Sequence, residues 1–287
     1  MGAFRRRSGA IVCPRCSRLV EARARRCPAC GMWRPSFWGF GPALLKVRSL
    51  PFRDGIIALC GVLYAGSLAL HRGDGPDAVA ALAAPTPAAL ITLGATGRIT
   101  VELLGRWETL LTAVFLHGSL LHILFNLLWT WQLAAPLCEL YDAPRFLLIF
   151  LAAGVAGNAA GVFIDAGDIL VGASGGVYGL FGALVWYGFR RGGVFGAGVF
   201  RFGLFWAGLG LVLSFAIPNC AVWAHIGGFF AGAGAAAVLG YRERRPSNPA
   251  ICLGALVAGI GVFAAFFAYL GFPPEGLDKL VRLVGGR

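Results

Sequence analysis

Residues 172–176, Gly-Ala-Ser-Gly-Gly, open an apolar run that continues from Val177 to Phe189. Glycines lie close on both sides of Ser174, and no charged residue stands beside it. Such a serine can bond its own backbone where two helices pack closely, or it can be a nucleophile whose backbone amide is accessible. The stretch by itself favours the packing interpretation, so the choice depends on what the other segments contribute.

The composition is typical of a polytopic membrane protein. Of the 287 residues, 58% are hydrophobic and only 13% are charged, and the mean hydropathy is +0.74. Soluble domains contain about 25% charged residues. The lipid bilayer is therefore the predicted surrounding of most of the chain.

The net charge of +12 is concentrated near the N-terminus. About half of the basic residues precede Asp54, and Glu21 is the only acidic residue before it. The positive-inside rule places such a segment in the cytosol. Nucleic-acid binding is the alternative explanation of a basic arm, but the adjacent membrane domain accounts for the charge, and no nucleic acid is expected as a partner. The first apolar run follows this segment, so we expect no signal peptide.

The polar N-terminus contains two CxxC pairs, Cys13 with Cys16 and Cys27 with Cys30, separated by ten residues. Each pair offers two thiolates from a tight turn, and four thiolates complete a tetrahedral zinc site. Two disulfides or a redox pair are the alternatives, but a basic cytosolic segment favours zinc. We predict a ribbon over residues 11–34 that binds structural Zn²⁺ and obtains most of its folding energy from the metal. It could dock a cytosolic partner that the sequence does not identify.

Seven apolar segments are predicted to span the membrane, with the N-terminus in the cytosol. Residues 71–108 hold a further apolar stretch, but Pro85 and Pro87 interrupt it. If this region is a long external loop, the arginine-bearing loops after the fourth and sixth spans lie in the cytosol, whereas an additional span would place them outside. The predicted spans are residues 56–70, 109–132, 145–164, 173–189, 197–217, 223–241 and 250–271.

Few polar side chains lie within these spans. A polar group in a span is a functional candidate because burying it without a partner costs several kcal/mol. His122 and Asn126 lie in the second span, Ser174 opens the fourth, and His225 lies near the start of the sixth. These three spans run in the same direction, so the four side chains are expected at similar depth near the external face.

The helix faces favour convergence of these groups. Small residues recur through the fourth span, and Ala224, Gly228 and Gly232 form a stripe at fourfold spacing in the sixth. Such stripes let helix backbones approach closely, as a serine requires to reach a histidine about 3 Å away on another helix. His122 and Asn126 share a helix face because they are four residues apart. Their side chains are suited to donate to a developing oxyanion.

A metal site is the alternative use of His117, His122 and His225. No carboxylate or thiol accompanies them at ligand spacing, so this interpretation is disfavoured. His117 precedes His122 by five residues and is expected to point away from the shared face, toward the loop.

Three motifs follow one another on the second, fourth and sixth predicted spans. They are His117-x4-His122-x3-Asn126 in HGSLLHILFN, Gly172-Ala-Ser174-Gly175 in GASGGVYGL, and Ala224-His225-Ile-Gly227-Gly228 in AHIGG. Together they resemble the rhomboid family of intramembrane serine proteases over about residues 105–240. The resemblance implies an all-α polytopic membrane fold with a six-helix core.

This resemblance suggests a division of the chain into three parts. A basic cytosolic segment at residues 1–50 contains the ribbon, and residues 51–241 form the six-helix protease core. A seventh transmembrane helix and a tail occupy residues 242–287.

The resemblance also implies a role for each site residue. Ser174 is expected to be the nucleophile and His225 the general base, as a dyad without an acidic third member. Tyr178 is expected to orient the histidine ring. The oxyanion hole would consist of the Ser174 backbone amide with His122, Asn126 and Gly172.

The match departs from the family just before the second span. The family commonly has a Trp-Arg pair there, whereas this sequence keeps Trp107 and has Thr109 at the arginine position. The departure leaves open how the external loop is anchored, but it does not affect the expected chemistry.

The function implied is that of a serine endopeptidase in the cell membrane. It would cleave transmembrane segments of membrane-protein substrates near the external face through an acyl-enzyme, without a cofactor for catalysis. A catalytically inactive rhomboid-like binder of transmembrane clients is the alternative, and the intact Ser174 and His225 argue against it. A transporter or channel would require internal repeats or more charged intramembrane groups, and the sequence contains neither.

Overall fold

The structure is a computed structural model, and it describes Arg5 and residues 8–70, 84–165, 168–217, 220–243, 248–273 and 276–277. This part of the chain is mainly helical and contains seven helices of 18 residues or more. Each corresponds to one predicted span, which confirms the all-α polytopic fold with a seventh helix. They are α1 (Phe52–Ala69), α2 (Leu120–Leu140), α3 (Ala143–Phe163), α4 (Ser174–Arg191), α5 (Gly193–Ala216), α6 (Val222–Leu239) and α7 (Pro249–Gly271).

Six of these helices are long and apolar enough to cross a membrane, judged by length and composition. The exception is α4, which is rich in glycine and ends with Arg190 and Arg191. Most α4 residues are buried, because α3, α5 and α6 pack around it. A helix enclosed by other helices contacts little lipid, so the central helix can be less hydrophobic than its neighbours.

Close backbone contact joins α4 to α6. A Cβ atom on Gly232 would lie 2.2 Å from the Cα atom of Gly179, and one on Gly182 would lie 2.1 Å from the carbonyl oxygen of Phe229. No side chain fits at these contacts. The small residues of the two helices therefore have the packing role that their spacing predicts.

Helix α2 begins later than predicted. The sequence placed the second span at residues 109–132, whereas short helical turns at Thr109–Thr112 and Ala113–Phe115 precede α2 and an extended Leu116 interrupts the chain. The Ser119 hydroxyl then accepts a hydrogen bond of 3.2 Å from the His122 amide and caps the new helix. The predicted boundary is wrong because the apolar residues 113–116 were joined to α2 across the break at His117, Gly118 and Ser119.

A small polar unit precedes the membrane helices. Strand β1 (Ala10–Val12) pairs antiparallel with β2 (Leu19–Glu21) inside the predicted ribbon. A short helix at Gly41–Leu44 and a 3₁₀ turn at Leu45–Ser49 lead from this unit to α1.

The described part of the long loop lies against the Ser174 end of the bundle. It contains a short helix at Pro87–Thr92 and a π-helical turn at Ile99–Leu103. Thr96 and Leu170 form an isolated β-bridge, which joins the loop to the segment just before α4. Residues 71–83 of the predicted loop and residues 278–287 of the predicted tail lie outside the described residues.

Helix α7 is attached to this loop at its C-terminal end. The Arg106 guanidinium donates to the carbonyl oxygen of Phe272 at 2.6 Å. The Tyr269 hydroxyl of α7 donates in turn to the carbonyl oxygen of Ile91 at 2.5 Å. Thr109 is buried, and its hydroxyl lies 2.6 Å from the carbonyl oxygen of Arg106 and 3.1 Å from the hydroxyl of Thr96 in the loop. The replacement of the family's arginine by Thr109 left open how the external loop is anchored. Arg106 and Tyr269 anchor this loop to α7.

A buried arginine fixes the other end of the bundle. Arg145, at the start of α3, is 0% exposed and lies 2.6 Å from the Asp142 carboxylate. Its guanidinium also donates to the carbonyl oxygen of Leu239, the last residue of α6, at 3.2 Å. A buried charge of this kind is held by its partners, so it ties α6 to α3 at the end opposite His225.

Candidate active site and metal centre

Two side chains from different helices meet at the candidate active site. Ser174 is the first residue of α4, and His225 lies in the first turn of α6. The His225 Nε2 and Ser174 Oγ atoms are 2.9 Å apart, and His225 is only 7% exposed. This is the contact expected between a nucleophile and its general base. It depends on close helix packing, because a Cβ on Gly228 would lie 2.2 Å from the Gly175 carbonyl oxygen.

The Tyr178 ring stacks on the His225 imidazole. The ring centroids are 4.3 Å apart and the planes differ by 11°. Tyr178 lies one helical turn after Ser174 on α4, so the same helix carries the hydroxyl and the ring that limits rotation of the histidine. The structure thus brings Tyr178 to the position that its predicted role requires.

A third residue contacts the other side of the imidazole. The Ser214 hydroxyl of α5 lies 2.9 Å from His225 Nδ1, and it is also 2.8 Å from the Gly210 carbonyl oxygen. The sequence analysis missed Ser214, although it lies within the predicted fifth span. The criterion that selected Ser174, a polar group inside an apolar segment, also applies to Ser214.

Gly172 brings the segment before α4 against His122. Its φ of +133° is one that residues with side chains rarely adopt, and a Cβ there would lie 2.7 Å from His122 Nε2 and 3.7 Å from Ser174 Oγ. Gly172, His122 and Ser174 therefore surround one small space. An oxyanion in this space would face the His122 ring.

Asn126 lies one turn further along α2 and is buried. Its Nδ2 atom donates to the His122 carbonyl oxygen at 2.9 Å. One amide hydrogen is thus used within the helix and the second is available for another acceptor. The structure places Asn126 beside His122 and engaged with its backbone.

The N-terminus of α4 adds a favourable electrostatic field at the same place. The first amide groups of a helix have no acceptor within that helix, and the helix dipole stabilises negative charge there. Ser174 is at this end of an 18-residue helix, and Ala173 provides no side-chain cap. The backbone at Ser174 is suited to bind an anion.

His117 stands behind His122 and does not contact Ser174. It is 0% exposed, neither ring nitrogen has a hydrogen-bond partner among the described residues, and its ring centroid is 5.1 Å from that of His122. Within the described residues, the histidines do not form a cluster that could hold a metal. This finding argues against the alternative histidine metal site.

The four N-terminal cysteines do converge. Their Sγ atoms all lie within 4.8 Å of one another, and the Cys13–Cys30 and Cys16–Cys27 pairs are both 3.7 Å apart. Zn–S bonds of about 2.3 Å give a tetrahedral edge of about 3.8 Å, whereas a disulfide requires about 2.05 Å. The arrangement fits a four-thiolate metal site, and all four cysteines are free.

One thiol of this cluster is favoured for ionisation, whereas the pKa values of Cys13 and Cys30 are raised. Burial opposes the charge on Cys27, but hydrogen bonds from the backbone of Ala29 and Cys30, together with the neighbouring thiols, lower the pKa of Cys27 to about 7. Thiolates are the ligands that zinc takes from cysteine. A metal-free cluster would therefore offer a thiolate near neutral pH.

Comparison with known proteins identifies one family model that matches the middle of the chain. Residues 104–242 match the family model described as the rhomboid domain. The chain is 36% identical over 140 residues to "Rhomboid protease GluP" of Bacillus subtilis, an alignment that covers 47% of this chain and 27% of that protein. It is 30% identical to "Putative rhomboid protease YdcA" of Bacillus subtilis, over 45% of this chain and 65% of the relative.

A third relative is "Rhomboid protease GlpG" of Serratia proteamaculans, 38% identical over 45% of this chain and 46% of the relative. The chain therefore aligns with less than two thirds of the length of each of these proteins. All six candidate active-site residues lie within the matched region: His122, Asn126, Gly172, Ser174, Tyr178 and His225.

Proposed function

We propose that this multi-pass membrane protein is an intramembrane serine endopeptidase, because its residues 104–242 match the rhomboid domain model. The observation that carries the proposal is the 2.9 Å contact between Ser174 Oγ and His225 Nε2. The relatives named as rhomboid proteases support a protease. The serine mechanism and the substrates are inferred from the site.

The first step would form an acyl-enzyme. His225 Nε2 accepts the Ser174 proton while Oγ bonds to the carbonyl carbon of the scissile peptide. The carbonyl oxygen becomes an oxyanion that faces the Ser174 amide and the His122 side chain, with Asn126 one turn away. His225 then returns the proton to the leaving amine as the C–N bond breaks.

Water would complete the reaction. A water molecule loses a proton to His225 Nε2 and attacks the acyl carbon, and the bond to Ser174 Oγ breaks as the proton returns to that oxygen. No cofactor is required for either step. The substrate would be a transmembrane segment that unwinds locally, because a helical peptide bond is shielded by its own backbone.

The proposed topology places the N-terminus in the cytosol and the active site toward the external side. It rests on the positive-inside rule and on the position of Ser174 and His225 at the ends of α4 and α6 that lie away from the arginine-bearing junctions. We retain the proposed division into residues 1–50, 51–241 and 242–287. We also propose Zn²⁺ as the metal of the cysteine cluster and a cytosolic partner for that segment.

The test is cleavage of a reporter transmembrane substrate in proteoliposomes. We expect Ser174→Ala and His225→Ala to abolish cleavage, and we expect a serine-directed fluorophosphonate to label the wild type but not Ser174→Ala. Ser67→Ala is the matched control, since Ser67 is a buried serine of α1 that bonds only its own helix backbone among the described contacts.

Cleavage that persists in purified Ser174→Ala would refute the catalytic assignment. A wild type that binds the reporter segment but is neither labelled nor able to cleave it would instead favour the inactive binder of transmembrane clients.

A further inference from the structure

Helix α5 presents one hydroxyl to the side of the His225 ring that faces away from Ser174. Ser214 lies near the C-terminal end of α5, is 4% exposed, and has its Oγ atom 2.9 Å from His225 Nδ1. The imidazole is therefore held between two serines, with Ser174 on Nε2 and Ser214 on Nδ1.

The contacts of Ser214 point to one histidine tautomer, with the ring proton on Nδ1. A hydroxyl has one proton to donate and two lone pairs. The Gly210 carbonyl oxygen, 2.8 Å from the Ser214 oxygen, can only accept, so a Ser214 hydroxyl that donates to it accepts in turn from Nδ1–H. With the ring proton on Nδ1, Nε2 is the free acceptor that Ser174 needs.

We infer that Ser214 is a positioning residue that holds His225 as the Nδ1–H tautomer, so that the Ser174–His225 dyad has a third, supporting member. The inference rests on the proposed function for its catalytic meaning. Ser214 touches neither the substrate nor the reacting atoms, and it acts through the orientation and protonation of the ring.

A serine suits this position for a physical reason. When His225 takes the Ser174 proton, the positive ring keeps its Nδ1–H bond to the Ser214 oxygen, which stabilises the charge. A carboxylate would stabilise it more strongly, but an unpaired carboxylate in a membrane-embedded site is costly to bury. A neutral hydroxyl that is also bonded to the helix backbone provides the acceptor without that cost.

The same face of α5 supports the stacked tyrosine. Gly210 lies one turn before Ser214, and a Cβ on Gly210 would lie 2.7 Å from the Tyr178 hydroxyl oxygen. One turn of α5 therefore contacts both the residue that stacks on His225 and the ring itself. This arrangement makes the orientation of His225 dependent on the position of α5.

The experiment compares Ser214→Ala, Ser214→Thr and Ser67→Ala in the full-length protein. Loss of one neutral hydrogen bond predicts about a tenfold fall in kcat and in the rate of fluorophosphonate labelling for Ser214→Ala. KM should stay constant because Ser214 makes no substrate contact. Ser214→Thr keeps the hydroxyl and should restore most of the rate, and Ser67→Ala should behave as the wild type.

Nitrogen-15 NMR of histidine-labelled protein reports the tautomer directly. The chain has four histidines, and His225→Ala identifies the signal of interest. We expect a protonated Nδ1 in the wild type and in Ser67→Ala, and a mixture of tautomers in Ser214→Ala. If Ser214→Thr does not fold because the threonine methyl group does not fit, the tautomer signal of Ser214→Ala still tests whether Ser214 holds the Nδ1–H tautomer.

Two results would overturn the inference. One is a wild-type ring that carries its proton on Nε2. The other is a Ser214→Ala protein that matches Ser67→Ala in labelling rate and tautomer, or that changes only KM. Failure of the proposed function can be told apart from failure of this inference. If the protein is not a serine protease, the fluorophosphonate does not label the wild type, but the His225 tautomer can still be measured.

Discussion

At the scale of single residues, Gly172 occupies a position that only glycine fits. It combines a φ of +133° with a Cβ direction that points at His122 Nε2, 2.7 Å away. A methyl group there would push the His122 ring from the space beside Ser174. The candidate oxyanion site thus depends on the absence of a side chain as much as on the donors around it.

We therefore expect Gly172→Ala to slow fluorophosphonate labelling of Ser174 by roughly 100-fold, comparable to removal of an oxyanion donor. Gly198→Ala is the matched control, since Gly198 of α5 has nothing within 4 Å of its Cβ direction. Equal labelling rates for the two variants would show that His122 is not needed where the structure places it.

The sequence identified most residues of the candidate site but not all of them. Ser174, His225, His122 and Asn126 could be selected because they are among the few polar groups in apolar segments. Ser214 satisfied the same criterion but was missed, because a lone serine in a helix commonly bonds the carbonyl four residues earlier, as it does here with Gly210. Its second contact, with His225, depends on how α5 and α6 pack.

At the scale of helices, the contact between α4 and α6 sets the distance between nucleophile and base. The backbones meet at Gly179 and Gly232, where a Cβ would lie 2.2 Å from main-chain atoms. Main-chain atoms cannot rotate away as side chains can. Any side chain at this contact would separate the two helices and lengthen the Ser174–His225 hydrogen bond.

Gly232→Ala should consequently lower the free energy of unfolding by about 1–3 kcal/mol, the usual cost of overpacking, and should reduce cleavage. Gly234→Ala on the same helix has nothing within 4 Å of its Cβ direction and should leave both unchanged. Thermal unfolding in detergent and reporter cleavage measure the two effects. If Gly232→Ala were as stable and active as Gly234→Ala, the close contact would not be what positions His225.

Helix boundaries were less predictable than helix number. Hydropathy located all seven long helices because each is a sustained apolar run. It placed the start of the second span at residue 109 because most of residues 109–116 are apolar, although His117, Gly118 and the capping Ser119 separate them from α2. Conversely, α4 is the least apolar long helix because it is enclosed by protein, which composition alone does not reveal.

At the scale of the whole molecule, the four close cysteines form a candidate metal site that takes no part in the proposed chemistry. We expect the purified full-length protein to contain a single zinc ion, measured by elemental mass spectrometry. Cys16→Ser should lose it, whereas Cys252→Ser, which removes a buried thiol of α7, should retain it. A wild type purified without chelators that contains no metal would contradict the assignment.

The metal content should also fall on acidification, because protons compete with the metal for thiolates. Without metal, the neighbouring thiols affect one another, so that the pKa of Cys27 is lowered to about 7 while the pKa of Cys30 is raised to about 12. Zinc retention, measured by elemental mass spectrometry after equilibration at decreasing pH, should therefore decrease as the pH is lowered. Fluorophosphonate labelling over the same range would reveal whether the metal affects Ser174.

The attachment of α7 to the long loop has a consequence for biosynthesis. Arg106 and the carbonyl it binds at Phe272 are 166 residues apart in the chain. At about 5–20 residues per second, a ribosome needs on the order of 10 to 30 s to proceed from Arg106 to Phe272. Ser174 and His225 are synthesised within that interval, before the loop beside them gains its last partner. Emergence of α7 from the ribosome therefore sets the earliest moment at which this side of the molecule can reach its finished form.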